Sequence, residues 1–80
     1  MNTLVLEVDP LATEVRVTEH ALHVILQDGR EISAPLAWYP RLRDATPAER
    51  NNWRLIGYGE GIHWPDVDED ISVIGLLSGR

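Results

Sequence analysis

Eighty residues fit one small domain, near the lower limit at which a single core offsets the conformational entropy of folding. The absence of cysteine excludes disulfides, thiolate metal sites and a thiol nucleophile, and is compatible with a reducing compartment such as the cytoplasm. A net charge of -6 opposes non-specific attraction to nucleic acid or anionic lipid, and no stretch is long or apolar enough to read as a leader or a membrane span.

From the start of the chain, residues 3 to 8 (TLVLEV) are β-branched and leucine-rich enough for a strand ending at Asp9-Pro10. Glu14 to Thr18 then alternates polar and apolar residues, and Ala21 to Leu26 forms a second run after Glu19-His20; both read as antiparallel strands with one buried face. Asp28-Gly29 predicts a two-residue type I′ hairpin into Arg30-Glu31-Ile32-Ser33, because both central positions of that turn need positive φ. Pro35 ends the pairing, and Leu36 to Tyr39 is expected to run extended along the core edge.

Thr46-Pro47-Ala48-Glu49 is a helix start: Thr46 caps, Pro47 supplies the φ of the first turn and Glu49 completes a capping box. The helix is expected to run from Pro47 to Ile56 and stop at Gly57. Ala48, Asn52, Leu55 and Ile56 then share a buried stripe with Trp53 at its margin, while Arg50 and Arg54 project together from the other side. Ile62-His63-Trp64 reads as a short strand stopped by Pro65. A last helix begins between Asp70 and Val73 and runs to about Ser78, with Gly79 as its stop. No repeat or interdomain linker is visible. The expected fold is α+β: an antiparallel sheet of three to five strands, one packed helix and a short C-terminal helix, with Trp53 and Trp64 in the core.

All seven cations are arginine, and Arg41, Arg43, Arg50 and Arg54 lie in one segment opposed only by Asp44 and Glu49. Glu60 to Asp70 holds five carboxylates and neither lysine nor arginine. A cationic centre followed by an acidic end suits a protein partner of mixed charge, with the four arginines as its contact surface. Trp38-Tyr39 beside Arg41 and Arg43 could also stack on single-stranded nucleic acid, a reading the overall acidity disfavours. Asp66, Asp68 and Asp70 alternate like the opening of a calcium loop, but Ile71 stands where the turn glycine is needed and Leu77 where the terminal carboxylate is needed. The better reading places these acids at the N-terminus of the last helix, opposing its dipole. His63 with Asp66, Asp68, Glu69 and Asp70 is the candidate ligand or acid-base site, although no nucleophile completes it. Gly57, Gly59 and Gly61 lack the spacing of a dinucleotide fingerprint and read as a backbone turn. No metal or cofactor is implied.

GIHWPDVDEDIS, with Pro35, Arg41, Leu42, Ala45-Thr46, Arg50 and Trp53 before it, resembles the signature of the small bacterial proteins grouped as domain-of-unknown-function family 2442. The resemblance covers roughly residues 30 to 79, with Gly61, Ile62, His63, Trp64, Pro65, Asp68, Glu69, Asp70, Ile71 and Leu77 among the matching positions. It implies no catalytic residue. Members resemble companions of other small bacterial proteins, in an arrangement similar to toxin-antitoxin pairs, and some longer relatives carry a helix-turn-helix region. The expectation is therefore a non-catalytic interaction protein with a partner encoded nearby; self-association into a homo-oligomer is also compatible with these features.

Overall fold

In the computed structural model, residues 10–79 are described, and the strand expected at residues 3 to 8 lies outside them. Alternation sets the first half. β1 (Ala12–Val17), β2 (Ala21–Leu26) and β3 (Glu31–Pro35) form an antiparallel meander in the order β1-β2-β3. Val15, Leu22, Val24, Leu26 and Ala34 turn to the core.

The β2–β3 turn departs from the type I′ expectation. Gly29 has φ 96, whereas Asp28 keeps a negative φ. Gly29 N–H donates to the Leu26 carbonyl at 2.9 Å and Leu26 N–H to the Arg30 carbonyl at 2.7 Å, so a single left-handed residue follows an ordinary turn and forms a bulge. Asp28 instead accepts from the Arg30 backbone N–H at 3.0 Å and its Nε at 2.8 Å, locking the corner. After Pro35 the chain coils rather than extends: Leu36–Trp38 forms one 3-10 turn, and α1 (Pro40–Arg43), not anticipated from the sequence, follows with Pro40 at its first position.

The capping box at Thr46 is present. Glu49 N–H donates to Thr46 Oγ1 at 3.1 Å, and Thr46 N–H to Glu49 Oε1 at 2.9 Å. The helix it starts, α2 (Pro47–Asn51), is half the expected length. A helix this short draws little stability from its own hydrogen bonds, so strand pairing decides the residues beyond it. Arg54–Ile56 becomes β4, paired with β5 (Gly61–Trp64), which pairs with β6 (Glu69–Ser72). α3 (Val73–Leu77) begins within the expected range, but its cap is Ser72, whose Oγ accepts from Gly75 N–H at 3.1 Å; Asp66, Asp68 and Asp70 precede that cap, in or before β6, and do not serve the helix. Gly79 (φ 92) ends it as expected.

The fold is α+β, with its strands divided between two three-stranded sheets. The second meander repeats the first in register. Val17, Leu22 and Ala34 pair across sheet one as Leu55, Ile62 and Ile71 do across sheet two, facing inward. Arg16, His23 and Ser33 pair outward as do Arg54, His63 and Asp70. The residue after each third strand even donates equivalently, Leu36 to His20 at 2.9 Å and Val73 to Glu60 at 3.0 Å. This internal repeat was invisible in the sequence because only a few identities, such as the two arginines and two histidines, survive in it.

Both sheets contribute to one core containing Leu36, Leu42, Ile62, Trp64, Ile71, Val73 and Leu76. Trp64 is wholly enclosed, while Trp53 packs against the core yet stays partly exposed. Truncating Trp64 to alanine is expected to cost about 3–5 kcal/mol, close to the whole stability of so small a domain. Trp64→Ala therefore loses the cooperative transition in urea followed by circular dichroism, and Trp53→Ala keeps it with a lower midpoint.

Candidate functional site

The four arginines do not form one helical face. Arg50, partly buried, turns inward: its Nε donates to the Leu42 carbonyl at 2.9 Å and its Nη2 to the Arg43 carbonyl at 2.7 Å. It thereby adds side-chain donors to the carbonyls at the end of α1. Arg41 Nη1 reaches the Asp68 carbonyl at 2.6 Å, tying α1 to the β5–β6 turn. Arg43 pairs with Asp44 at 3.0 Å, and that ion pair holds the Asp44 carboxyl below its usual range. Arg54 lies on β4, away from the helical stripe predicted for it, because α2 ends at Asn51.

The acidic residues also scatter among different neighbours. Asp66 accepts from Asn52 Nδ2 at 3.0 Å, Asp68 adopts φ 54 and offers its carbonyl to Arg41, and Asp70 Oδ1 lies 2.5 Å from His63 Nδ1. Of the predicted ligand group, only His63 and Asp70 meet, and they do so because they are directly opposed on β5 and β6. With Arg54 opposite His63 on the other side, they form a polar row across the outward face of the second sheet. Among the described residues no three metal-ligating side chains converge.

Two exposed aromatic features stand beside these groups. Trp38, 49 % exposed, lines a shallow depression with Ala37, Tyr39 and Gly79, immediately before the arginines of α1. Tyr58, which the sequence reading passed over, is 97 % exposed and has φ 58, a conformation costing a non-glycine residue about 1 kcal/mol or more. The turn that holds it cannot relax freely: a Cβ on Gly59 (φ 104) would stand 2.5 Å from the Ala12 carbonyl oxygen. The Gly57-Tyr58-Gly59 spacing carried that signal, since glycines on both sides of a tyrosine suit a sharp turn that presents it.

The model of the family described as "Protein of unknown function (DUF2442)" matches residues 12–80. The chain belongs to this family. The DUF2442 chain resembles the crystal structure of a protein of unknown function from Rhodospirillum rubrum, with TM-score 0.77 and 27 % identity over 90 % of this chain and 89 % of that one. It also resembles the solution structure of an uncharacterized protein from Chromobacterium violaceum, with TM-score 0.75 and 29 % identity over 96 % of this chain and 72 % of that one. No curated protein matches it.

Within this DUF2442 fold, Glu69 carries the electrostatic cost of the acidic turn. Partial burial, opposed by the Arg41 guanidinium and reinforced by Asp70 and Asp68, pushes its carboxyl above the usual range. The folded state thus holds that proton more tightly than the unfolded chain does. The contribution is favourable at low pH and is lost as pH rises through the carboxylate range. Glu69→Gln is expected to raise the melting temperature at neutral pH, with the gain shrinking to nothing near about pH 4, in thermal scans across that range.

Proposed function

We propose that this protein is a non-catalytic interaction protein of the cytoplasm, the partner-binding, antitoxin-like member of a two-protein bacterial module encoded together. The observation that carries the reading is the half-exposed Trp38 at the mouth of its depression, followed in the next turn by the exposed Arg41 and Arg43. Tryptophan and arginine dominate the energetics of protein interfaces, because one supplies a large apolar area and the other a planar fork for carboxylates. The net charge of -6 favours an acidic patch on a protein over a nucleic-acid backbone as the counterpart, since only a local cationic surface has to be matched. Arg50 supports this corner from beneath through its bonds to the end of α1.

The His63–Asp70 contact favours a second reading, a small ligand or acid-base site on the second sheet, with imidazole Nε2 left to face a ligand. The two readings separate by mutation. Against the product of the adjacent gene, a Trp38→Ala, Arg43→Glu variant is expected to bind at least about tenfold more weakly in a titration, with its melting temperature unchanged. Replacing His63 with glutamine is expected to leave that affinity intact. Unchanged binding by the Trp38/Arg43 variant removes the corner from consideration, and salt-sensitive DNA binding by the parent protein favours a nucleic-acid interface there instead.

A further inference from the structure

We infer that the outward face of the β4-β5-β6 sheet is a self-association surface, on which a second copy of this chain docks about a two-fold axis. β4 and the 3-10 turn that follows it, Gly57–Gly59, border that face. Along Arg54-Leu55-Ile56-Gly57-Tyr58-Gly59-Glu60 a cation stands at one end, a carboxylate at the other, and two exposed apolar side chains lie between them.

Ile56 is 44 % exposed, and its side chain lies across the neighbouring strand: a Cβ on Gly61 would stand 3.1 Å from Ile56 Cγ1. Ile56, Glu60, Gly61, Asp70 and Ser72 line one shallow depression. Glu60 and Ser72 continue into a second one walled by Leu11 and the exposed Ile74. Tyr58 protrudes beside this apolar ground from a turn whose backbone is pinned against Ala12.

Charge identifies the occupant. Among the described residues, the Arg54 guanidinium and the Glu60 carboxylate make neither a hydrogen bond nor an ion pair, whereas Asp70 on the same face is engaged by His63. A two-fold axis near Ile56 and Tyr58 brings Arg54 of one copy against Glu60 of the other, twice over, and closes the two apolar strips on each other. An isologous contact requires this self-complementarity, which a patch of one sign cannot provide. The rest of the molecule, at net charge -6, repels a second copy, so the approach is confined to the face where both signs are available.

Sedimentation equilibrium over a concentration series tests this. The parent is expected to rise from the 9.0 kDa chain mass toward twice that value. Arg54→Glu and Glu60→Arg are each expected to weaken association at least about tenfold, and the double variant to restore it. Net charge alone predicts a different pattern, because the first change makes the chain more acidic and the second less, so the two would move association in opposite directions. Tyr58→Ser is also expected to weaken it, and all of these exposed positions should leave the melting temperature unchanged. A parent that stays monomeric up to about 1 mM, single variants that follow net charge, or a double variant that fails to recover overturns the inference. Binding of the heterologous partner at the Trp38 corner is measured on the same variants and should be unaffected, so failure of either idea leaves the other standing.

Discussion

The indole N–H of Trp64 donates to the carbonyl of Arg50 at 3.0 Å, and the placement of the helical segment depends on that bond. A buried tryptophan must satisfy its one donor, and here the acceptor comes from the last turn of α2, so the centre of the second sheet fixes the helix. Arg50 then passes the constraint on through its guanidinium to the end of α1, and Arg41 returns it to the turn after β5. The result is a closed circuit in which two helices of four and five residues, each too short to persist alone, are held between two sheets.

That circuit changes what the arginines are for. Clustered cations in a sequence suggest a solvent-facing patch, yet Arg50 turns both its bonds inward and Arg41, though exposed, gives one donor to the Asp68 carbonyl. Arg43 is left near the surface beside Asp44, and Arg54 is carried to the second sheet, where its environment is a polar row rather than a helix face. The candidate partner surface is consequently narrower than composition suggests and gains Trp38, which no charge count would reveal.

The two meanders show how one backbone design is put to different uses. In each, an arginine, a histidine and a polar or acidic residue align across the outward face. In the first sheet His23 Nδ1 is shared between Glu31 at 3.0 Å and Ser33 at 2.8 Å, and Arg16 approaches the same glutamate at 3.9 Å, so the row is internally matched. In the second sheet, among the described residues, the histidine is matched by Asp70 alone, and the flanking arginine and Glu60 are left open. Similar frames therefore leave unequal surfaces.

The sequence by itself determined the local chemistry: the three strands of the first meander, the capping box at Thr46, the strand at Ile62 to Trp64, the stop at Gly79 and the α+β class. Each depends on neighbours a few residues apart, so periodicity, proline and glycine suffice to read it. The tertiary structure decided whether Arg54 to Ile56 continues a helix or pairs with Gly61 to His63, because both patterns turn Leu55 toward the core and only the partner strand distinguishes them. It likewise decided that Glu69 to Ser72 pairs as a strand, so that the acids do not cap the last helix, that Asp28 keeps a negative φ, and that His63 meets Asp70 while the other acids go elsewhere. These outcomes rest on pairing between residues distant in sequence, and an alternation four residues long carries too little information to specify its partner.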